Sequence, residues 1–244
     1  MLPAPRTPSP PRSPLSRRIV EGGAAITEIF IVAFLGSVLA QGLLVVVGLD
    51  PMANARHLAI FMWTEAVFTL VAISVLLRVR NERWAHLGWT ASGFQHELRI
   101  GLAVLPGLFV ITYLTGGLFQ TFWPEYVSPA NPLLEMIKTG EDLVFFLISS
   151  IFVGGLKEEV QRAFVLRHFE RYLGGIWVGL VVWTVVFAAL HAVQGFDKAV
   201  AAGLLGFVFG LLYIWRRNLT SPIVSHALYD VTTLLIFWRL LRQV

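Results

Sequence analysis

The chain has 244 residues, of which 56% are hydrophobic and 14% are charged, and its mean hydropathy is +0.71. Soluble domains carry about 25% charged residues, so this composition excludes an ordinary soluble domain and indicates a polytopic membrane protein. Cysteine is absent, which excludes disulfides and thiolate metal sites. The net charge of +4 reflects arginines in short loops, as is typical of membrane proteins, and we expect no nucleic-acid partner.

The first twenty residues are rich in proline and arginine and contain no acidic residue. Such a segment cannot bury enough apolar surface to fold, so residues 1–20 are predicted to form a disordered basic tail on the cytoplasmic side. The tail either stays solvated or contacts anionic lipid head groups. Residues 21–141 are then expected to hold the N-terminal transmembrane helices.

Seven apolar stretches approach the length of about 20 residues that a helix needs to cross the hydrocarbon core. They span about residues 24–47, 58–77, 100–119, 143–166, 176–193, 199–215 and 222–240. This pattern predicts an all-α fold, a polytopic helical bundle of about seven transmembrane helices. The fourth stretch differs from the others because its second half is polar.

Arginine is concentrated in alternate connections, after the second, fourth and sixth stretches. Cytoplasmic loops carry an excess of Lys and Arg, so we predict a cytoplasmic N-terminus and an exoplasmic C-terminus. Arg239 and Arg242 near the C-terminus disagree with the last of these assignments. The short, tailed architecture suggests a bacterial cell membrane, with membrane lipid as a constant partner.

Several ionisable side chains lie within the apolar stretches, where they are costly and therefore candidates for function. These residues are Glu65 in the second stretch, Lys157, Glu158, Glu159 and Arg162 in the fourth, His191 in the fifth, and His226 and Asp230 in the seventh.

Helical spacing relates some of these side chains to each other. Glu158 and Arg162 are four residues apart and are expected to form an ion pair, in which Arg162 fixes the charge and direction of the carboxylate. His226 and Asp230 share a face by the same rule. A carboxylate and two imidazoles on three helices can activate a water, with the carboxylate as general base. His191 would hold the water, directly or through a metal, while His226 and Asp230 stabilise the oxyanion.

Each of these residues also has a purely structural interpretation. A single histidine in a membrane helix often serves as a hydrogen-bond donor between helices, and the Glu–Arg cluster can be a charged collar at a helix end. For Glu65 the sequence identifies no partner.

Three short patterns follow one another in the second half of the chain. They are the acid-rich helix with Arg162, F-x3-H from Phe187 to His191, and H-x3-D from His226 to Asp230. Over about residues 143–240 the chain thereby resembles the CPBP family, the CAAX-protease and bacteriocin-processing (ABI-like) group of intramembrane proteases. The family carries E-E-x3-R, F-x3-H and H-x3-N or H-x3-D. The resemblance implies that residues 142–244 form the catalytic-core helices of a membrane hydrolase.

The first motif departs from the family pattern. With Arg162 aligned, Lys157 takes the place of the first family glutamate, the general base, and Glu158 takes the place of the second. The base would then be Glu158 or Glu159, or the site has lost its base. We expect Lys157 either to point away from the cavity, toward lipid head groups, or to occupy the lost glutamate's position and pair with Glu158 or Glu159.

The resemblance also concerns cofactors. Members of this family are often described as metalloproteases, and a metal-free glutamate mechanism is the alternative. A zinc ion bound by His191 and His226 is therefore one hypothesis, although two histidines and few acidic residues offer a small number of ligands.

The function that these patterns favour is hydrolysis of a peptide bond in a membrane-associated peptide or prenylated protein, within a cavity that opens to the cytoplasm and the lipid. One alternative is a drifted family member that acts as a non-enzymatic scaffold or immunity protein, for which Lys157 is the argument. Another is a transporter or proton relay, which the missing internal symmetry disfavours. Convergence of the site residues on one cavity supports the first, and Lys157 inside that cavity supports the second.

Overall fold

The computed structural model describes residues 14–241, with side chains for residues 18–240. Within these residues the chain forms helices and no β-strand, and the predicted all-α bundle is confirmed. The helices are α1 (Pro14–Phe30), α2 (Gly36–Val46), α3 (Ala55–Val79), α4 (Phe94–Phe122), α5 (Pro132–Glu135), α6 (Gly140–Ser149), α7 (Glu159–Tyr172), α8 (Ile176–Leu190), α9 (Phe196–Arg216) and α10 (Thr220–Leu241). Most of the predicted basic tail, residues 1–13, lies outside the described residues, and α1 begins within its remainder.

Two pairs of helices are continuous rods because a π-helical segment joins them. Ile31–Leu35 connects α1 to α2, and Ser150–Glu158 connects α6 to α7. A π-helix has i→i+5 hydrogen bonds, is rare, and often occurs at functional sites. The second segment contains the adjacent glycines Gly154 and Gly155, which weaken the preference for a regular α-helix.

The predicted count of seven membrane crossings can be compared with the lengths and composition of the helices. Of the helices in residues 14–241, five are long and apolar enough to span a bilayer, namely Arg18–Val46, Ala55–Val79, Phe94–Phe122, Phe196–Arg216 and Thr220–Leu240. At 1.5 Å per residue, the 15 residues of α8 extend about 22 Å, less than the roughly 30 Å of a hydrocarbon core. The α6–α7 rod is long enough, but charged residues interrupt its apolar run. The count of seven is therefore not confirmed.

Small residues bring α9 close to α8. A Cβ atom added at Gly206 would lie 2.8 Å from the Phe187 ring, and one at Gly210 would collide with Leu180. The close approach of the two helices places Phe209 in the buried interior beside Phe187.

The start of α1 and the start of α8 lie at the same end of the bundle. Gly22 in α1 lies beside Leu173, just before α8 begins. This end, which we call the basic end, carries five arginines in ion pairs with acidic residues: Arg80–Glu28, Arg167–Glu82, Arg171–Glu82, Arg216–Glu97 and Arg217–Glu170. The α8–α9 connection lies at the opposite end, because α8 runs away from the basic end.

Candidate functional site

A cavity of about 390 Å³ lies within the bundle between α3, α4, α6, α8, α9 and α10. Its ionisable lining residues are Glu158, His191, Lys198, His226 and Asp230. Four of the five predicted catalytic residues thus border one space, and the fifth, Glu159, is buried behind it. Much of the remaining lining is apolar, with Phe146, Phe187, Phe209, Leu205 and Val153 among its members.

The π-helical segment brings these groups together by packing directly on α10. A Cβ atom at Gly154 would lie 2.5 Å from Oδ2 of Asp230, and one at Gly155 would lie 2.6 Å from Cβ of Ala227. Only glycine allows this approach without displacing α10. The close contact sets the end of the π-helical segment, where Glu158 lies, opposite His226.

Glu159 and Arg162 form a buried ion pair, with side chains 0% and 1% exposed. Oε1 of Glu159 also lies 2.7 Å from Nδ1 of His226. The prediction that Arg162 pairs with Glu158 is therefore wrong. Glu159 and Arg162 are three residues apart on regular α-helix and share a face, whereas Glu158 ends the π-helical segment and faces the cavity. The guanidinium group of Arg162 lies 4.7 Å above the ring of Phe187.

The carboxylate of Glu158 remains available to the cavity. Its side chain is 19% exposed, and its buried Oε2 accepts no hydrogen bond from any residue that the structure describes. The same oxygen lies 3.9 Å from Nε2 of His226, and this nitrogen lies 3.6 Å from Oδ2 of Asp230. Of the two neighbouring glutamates, Glu158 can thus act on a group in the cavity, while Glu159 orients Arg162 and His226.

His191 follows the last residue of α8 and faces the same cavity. Its Nδ1 lies 2.8 Å from the carbonyl oxygen of Phe187. A carbonyl oxygen can only accept, so Nδ1 carries the proton and donates it. The tautomer that follows leaves Nε2 as an acceptor.

Lys157 points away from the cavity, as one of its two predicted positions required, but its partner is not a predicted one. It is buried, does not line the cavity, and its Nζ lies 2.9 Å from Oε2 of Glu65 on α3. Oε1 of Glu65 accepts a hydrogen bond from the hydroxyl of Thr69 at 3.2 Å. The expectations that Lys157 reaches head groups or pairs with Glu158 or Glu159 are both wrong, because a partner on α3 lies within its reach. Glu65 thereby gains the partner that the sequence did not identify.

Sequence analysis missed several polar residues of the cavity. Lys198 lines it and donates to the carbonyl oxygen of Ser128 at 2.8 Å. The hydroxyls of Thr112 and Tyr229 are 2.7 Å apart and also lie at the cavity. Tyr229 precedes Asp230 in the third motif, which was a usable signal. Thr112 offered none, because single hydroxyls are ordinary in membrane helices.

The residues present do not fit a zinc site. Zinc sites in proteins use three or four protein ligands. Among the described residues, no group of three or more His, Cys, Asp or Glu side chains could hold a metal ion. We therefore derive no chemical step through a metal.

The cavity reaches the end of the bundle opposite the basic end. Asn131, Gln194 and Lys198 line it, and they lie around the α8–α9 connection. The amide of Asn131 donates to Gln194 at 3.0 Å there. A cytoplasmic N-terminus and a cavity that opens to the cytoplasm are therefore incompatible expectations, because α1 begins at the other end.

Comparison with known proteins gives a family match for one part of the chain. Residues 139–232 match the family described as type II CAAX prenyl endopeptidase Rce1-like. Searches of curated proteins and of solved structures found no match. The match includes the π-helical segment, α7, α8, α9 and the His226–Asp230 pair, so it covers all charged lining residues of the cavity. The resemblance to the CPBP and CAAX-protease group is thus confirmed over residues 139–232, an Rce1-like region within an integral membrane protein.

Proposed function

We propose that the protein is an intramembrane endopeptidase that hydrolyses a peptide bond with a water activated by Glu158. The observation that carries this proposal is the place of Glu158 in the cavity wall, where its buried Oε2 accepts no hydrogen bond from the described residues and faces Nε2 of His226 across 3.9 Å. A buried polar atom without a partner is costly, and such an atom in a cavity is suited to bind a reactant.

In the first step, a water donates one hydrogen bond to Glu158 and one to Nε2 of His191. Its oxygen attacks the scissile carbonyl carbon as Glu158 takes a proton, which is general-base catalysis. The new C–O bond moves the carbonyl electron pair onto oxygen and forms a tetrahedral oxyanion. Protonated Nε2 of His226 donates to this oxyanion, whose charge is stabilised as it develops.

In the second step, the oxyanion collapses and the C–N bond breaks. Glu158 returns the proton that it took from water to the leaving nitrogen, so the carboxylate is regenerated. One water is consumed and two peptide termini are formed. Because Glu158 accepts and then donates the same proton, the reaction requires no further acid.

His226 is held for its role by acidic neighbours. Oε1 of Glu159 binds Nδ1 at 2.7 Å, which leaves Nε2 facing the cavity. Asp230 lies 3.6 Å from Nε2 and lines the same cavity, so its carboxylate complements the charge of the His226 ring when that ring is protonated. Ionised Asp230 cannot donate to an oxyanion, so we assign it to support His226 rather than to contact the oxyanion.

The apolar lining suits a peptide that comes from the membrane surface, either alone or attached to a prenyl chain. The arginine-rich basic end is expected in the cytoplasm, so a substrate would reach the cavity from the other side or from the lipid. The orientation of the bundle can be tested with single cysteines, because the chain contains none of its own. Met52 and Trp89 are suitable positions, with exposed fractions of 54% and 49%. An impermeant thiol reagent should label Met52→Cys but not Trp89→Cys in intact cells.

The scaffold alternative is based on Lys157 in place of the first family glutamate, and it expects Lys157 to fill or bridge the cavity. Lys157 instead pairs with Glu65, so it neither blocks the cavity nor holds Glu158, and this geometry favours the enzyme.

The proposal is tested by incubating purified protein in detergent with a peptide library, with and without a chelator. Glu158→Gln should lower kcat by at least about 10²-fold, in the range of general-base contributions. Glu141→Gln, an exposed position on α6, is the matched control and should cleave normally. Loss of cleavage with the chelator would contradict the metal-free mechanism. An inactive wild type, or an active Glu158→Gln variant, would contradict the proposed function.

A further inference from the structure

Three consecutive side chains at the end of the π-helical segment point in three directions. Lys157 reaches Glu65 on α3, Glu158 faces the cavity, and Glu159 binds Arg162 and His226. We propose that the Lys157–Glu65 ion pair is a positioning device that holds Glu158 toward the cavity. This inference rests on the proposed function, in which Glu158 is the general base.

The ion pair is enclosed by three helices. Its two side chains are each 9% exposed, and the charged atoms are 2.9 Å apart. Thr69 on α3 donates to the second oxygen of Glu65. Gly36 of α2 packs closely on this part of α3, since a Cβ atom there would lie 2.9 Å from the backbone carbonyl oxygen of Glu65 and closer still to the Thr69 hydroxyl. The Glu65 carboxylate is thus bonded by Thr69 within a tightly packed contact of α2 and α3, and it offers Lys157 a defined anchor.

A defined anchor matters because the segment that it holds has unusual geometry. The π-helical stretch Ser150–Glu158 ends one residue after Lys157. If the segment changed to regular α-helix, the directions of the side chains that follow would rotate around the axis. Lys157 can keep its bond to Glu65 only in the observed register, and a buried charge without its partner is strongly unfavourable. The pair thus selects the register in which Glu158 faces His226.

The pair also separates the charge of Lys157 from the proposed base. Glu65 neutralises the ammonium group on the α3 side of the segment. Without Glu65, Lys157 would be a buried charge without its partner, and relieving that cost would require a shift of the segment that carries Glu158. A positioning role therefore predicts that both partners are needed, although neither lines the cavity.

The experiment uses the full chain and a variant without either charge. Lys157→Met with Glu65→Gln removes both charges together and leaves no buried ion unpaired, so it should fold. Its kcat should fall about 10²-fold, the loss expected for a displaced catalytic group, with KM within about threefold of wild type. Lys157→Arg keeps the pair and should restore most of kcat. Arg217→Met with Glu170→Gln, which removes an exposed ion pair, is the matched control.

A second readout does not depend on activity. In the chain without cysteine, Glu158→Cys should react with a water-soluble methanethiosulfonate through the cavity. Adding Lys157→Met and Glu65→Gln should slow that reaction at least fivefold, and the control pair should not. An unchanged labelling rate would overturn the positioning role even if the protein is an active protease. Slower labelling in a protein that cleaves no peptide would support the positioning role while the proposed function fails.

Discussion

Replacing Arg162 by methionine should destabilise the protein far more than replacing any exposed arginine. Methionine fills much of the volume of the arginine side chain, so the change chiefly removes a charge. Glu159 then keeps only its bond to His226 at 2.7 Å and remains fully buried. The guanidinium group also loses its contact with the Phe187 ring at 4.7 Å.

The expected loss follows from burial. Removing one partner of a buried ion pair costs about 3–5 kcal/mol, and the side chains of Glu159 and Arg162 are 0% and 1% exposed. Arg217 pairs with Glu170 at 2.8 Å, but these side chains are 50% and 35% exposed. Because an exposed pair contributes about 0–1 kcal/mol, Arg217→Met serves as the matched control.

Thermal unfolding in detergent measures the difference. For soluble proteins of this length, 1 kcal/mol shifts Tm by about 2–4 °C, so Arg162→Met should lower Tm by roughly 6–20 °C. Adding Glu159→Gln removes the unpaired charge and should recover at least half of the loss. The reasoning is refuted if Arg162→Met lowers Tm no more than Arg217→Met, or if the double variant is less stable than the single one.

Three further predictions concern the cavity and the basic end. Asp230→Asn, which keeps an oxygen acceptor beside His226, should retain cleavage within about tenfold, while Asp230→Leu should lose it in the same peptide assay. Gly154→Ala should abolish cleavage because its Cβ would lie 2.5 Å from Oδ2 of Asp230, whereas Gly42→Ala meets no atom within 4 Å and should cleave normally. Burial lowers the pKa of His168 although Glu28 bonds it. The neutral His168 side chain therefore contributes stability above the unfolded pKa of about 6.5, and this contribution is lost as the pH falls toward the lower folded pKa. Between pH 7.5 and pH 5.5, the Tm of His168→Gln should consequently drop less than the Tm of the wild type.

Much of the architecture was predictable because it follows from local, repeating features. Apolar stretches near the length of a bilayer predicted the helices, and four-residue spacing put His226 and Asp230 on one face of α10, where both line the cavity. The crossing number was not predictable in the same way. A hydropathy pattern marks an apolar stretch, but only the structure shows that α8 ends at Leu190, too short for a simple crossing.

The details of the first motif were not predictable from spacing. Sequence analysis paired Arg162 with Glu158, yet the structure pairs it with Glu159. The error comes from assuming a regular α-helix where the chain forms a π-helical segment. In that segment Gly154 and Gly155 pack on α10, a contact between distant parts of the chain that spacing along one helix does not reveal.

By itself, the sequence determined that this is a helical membrane protein and that its second half carries the motifs of an intramembrane protease family. Composition and regular spacing carry that information because each helix buries or exposes residues at fixed intervals. Only the tertiary structure decided where Lys157, Glu158 and Glu159 point. Adjacent side chains on a helix diverge widely, so their partners depend on which helices pack on each side. Here Lys157 pairs with Glu65 on α3, and Glu159 bonds to His226 on α10. Glu158 lines the cavity.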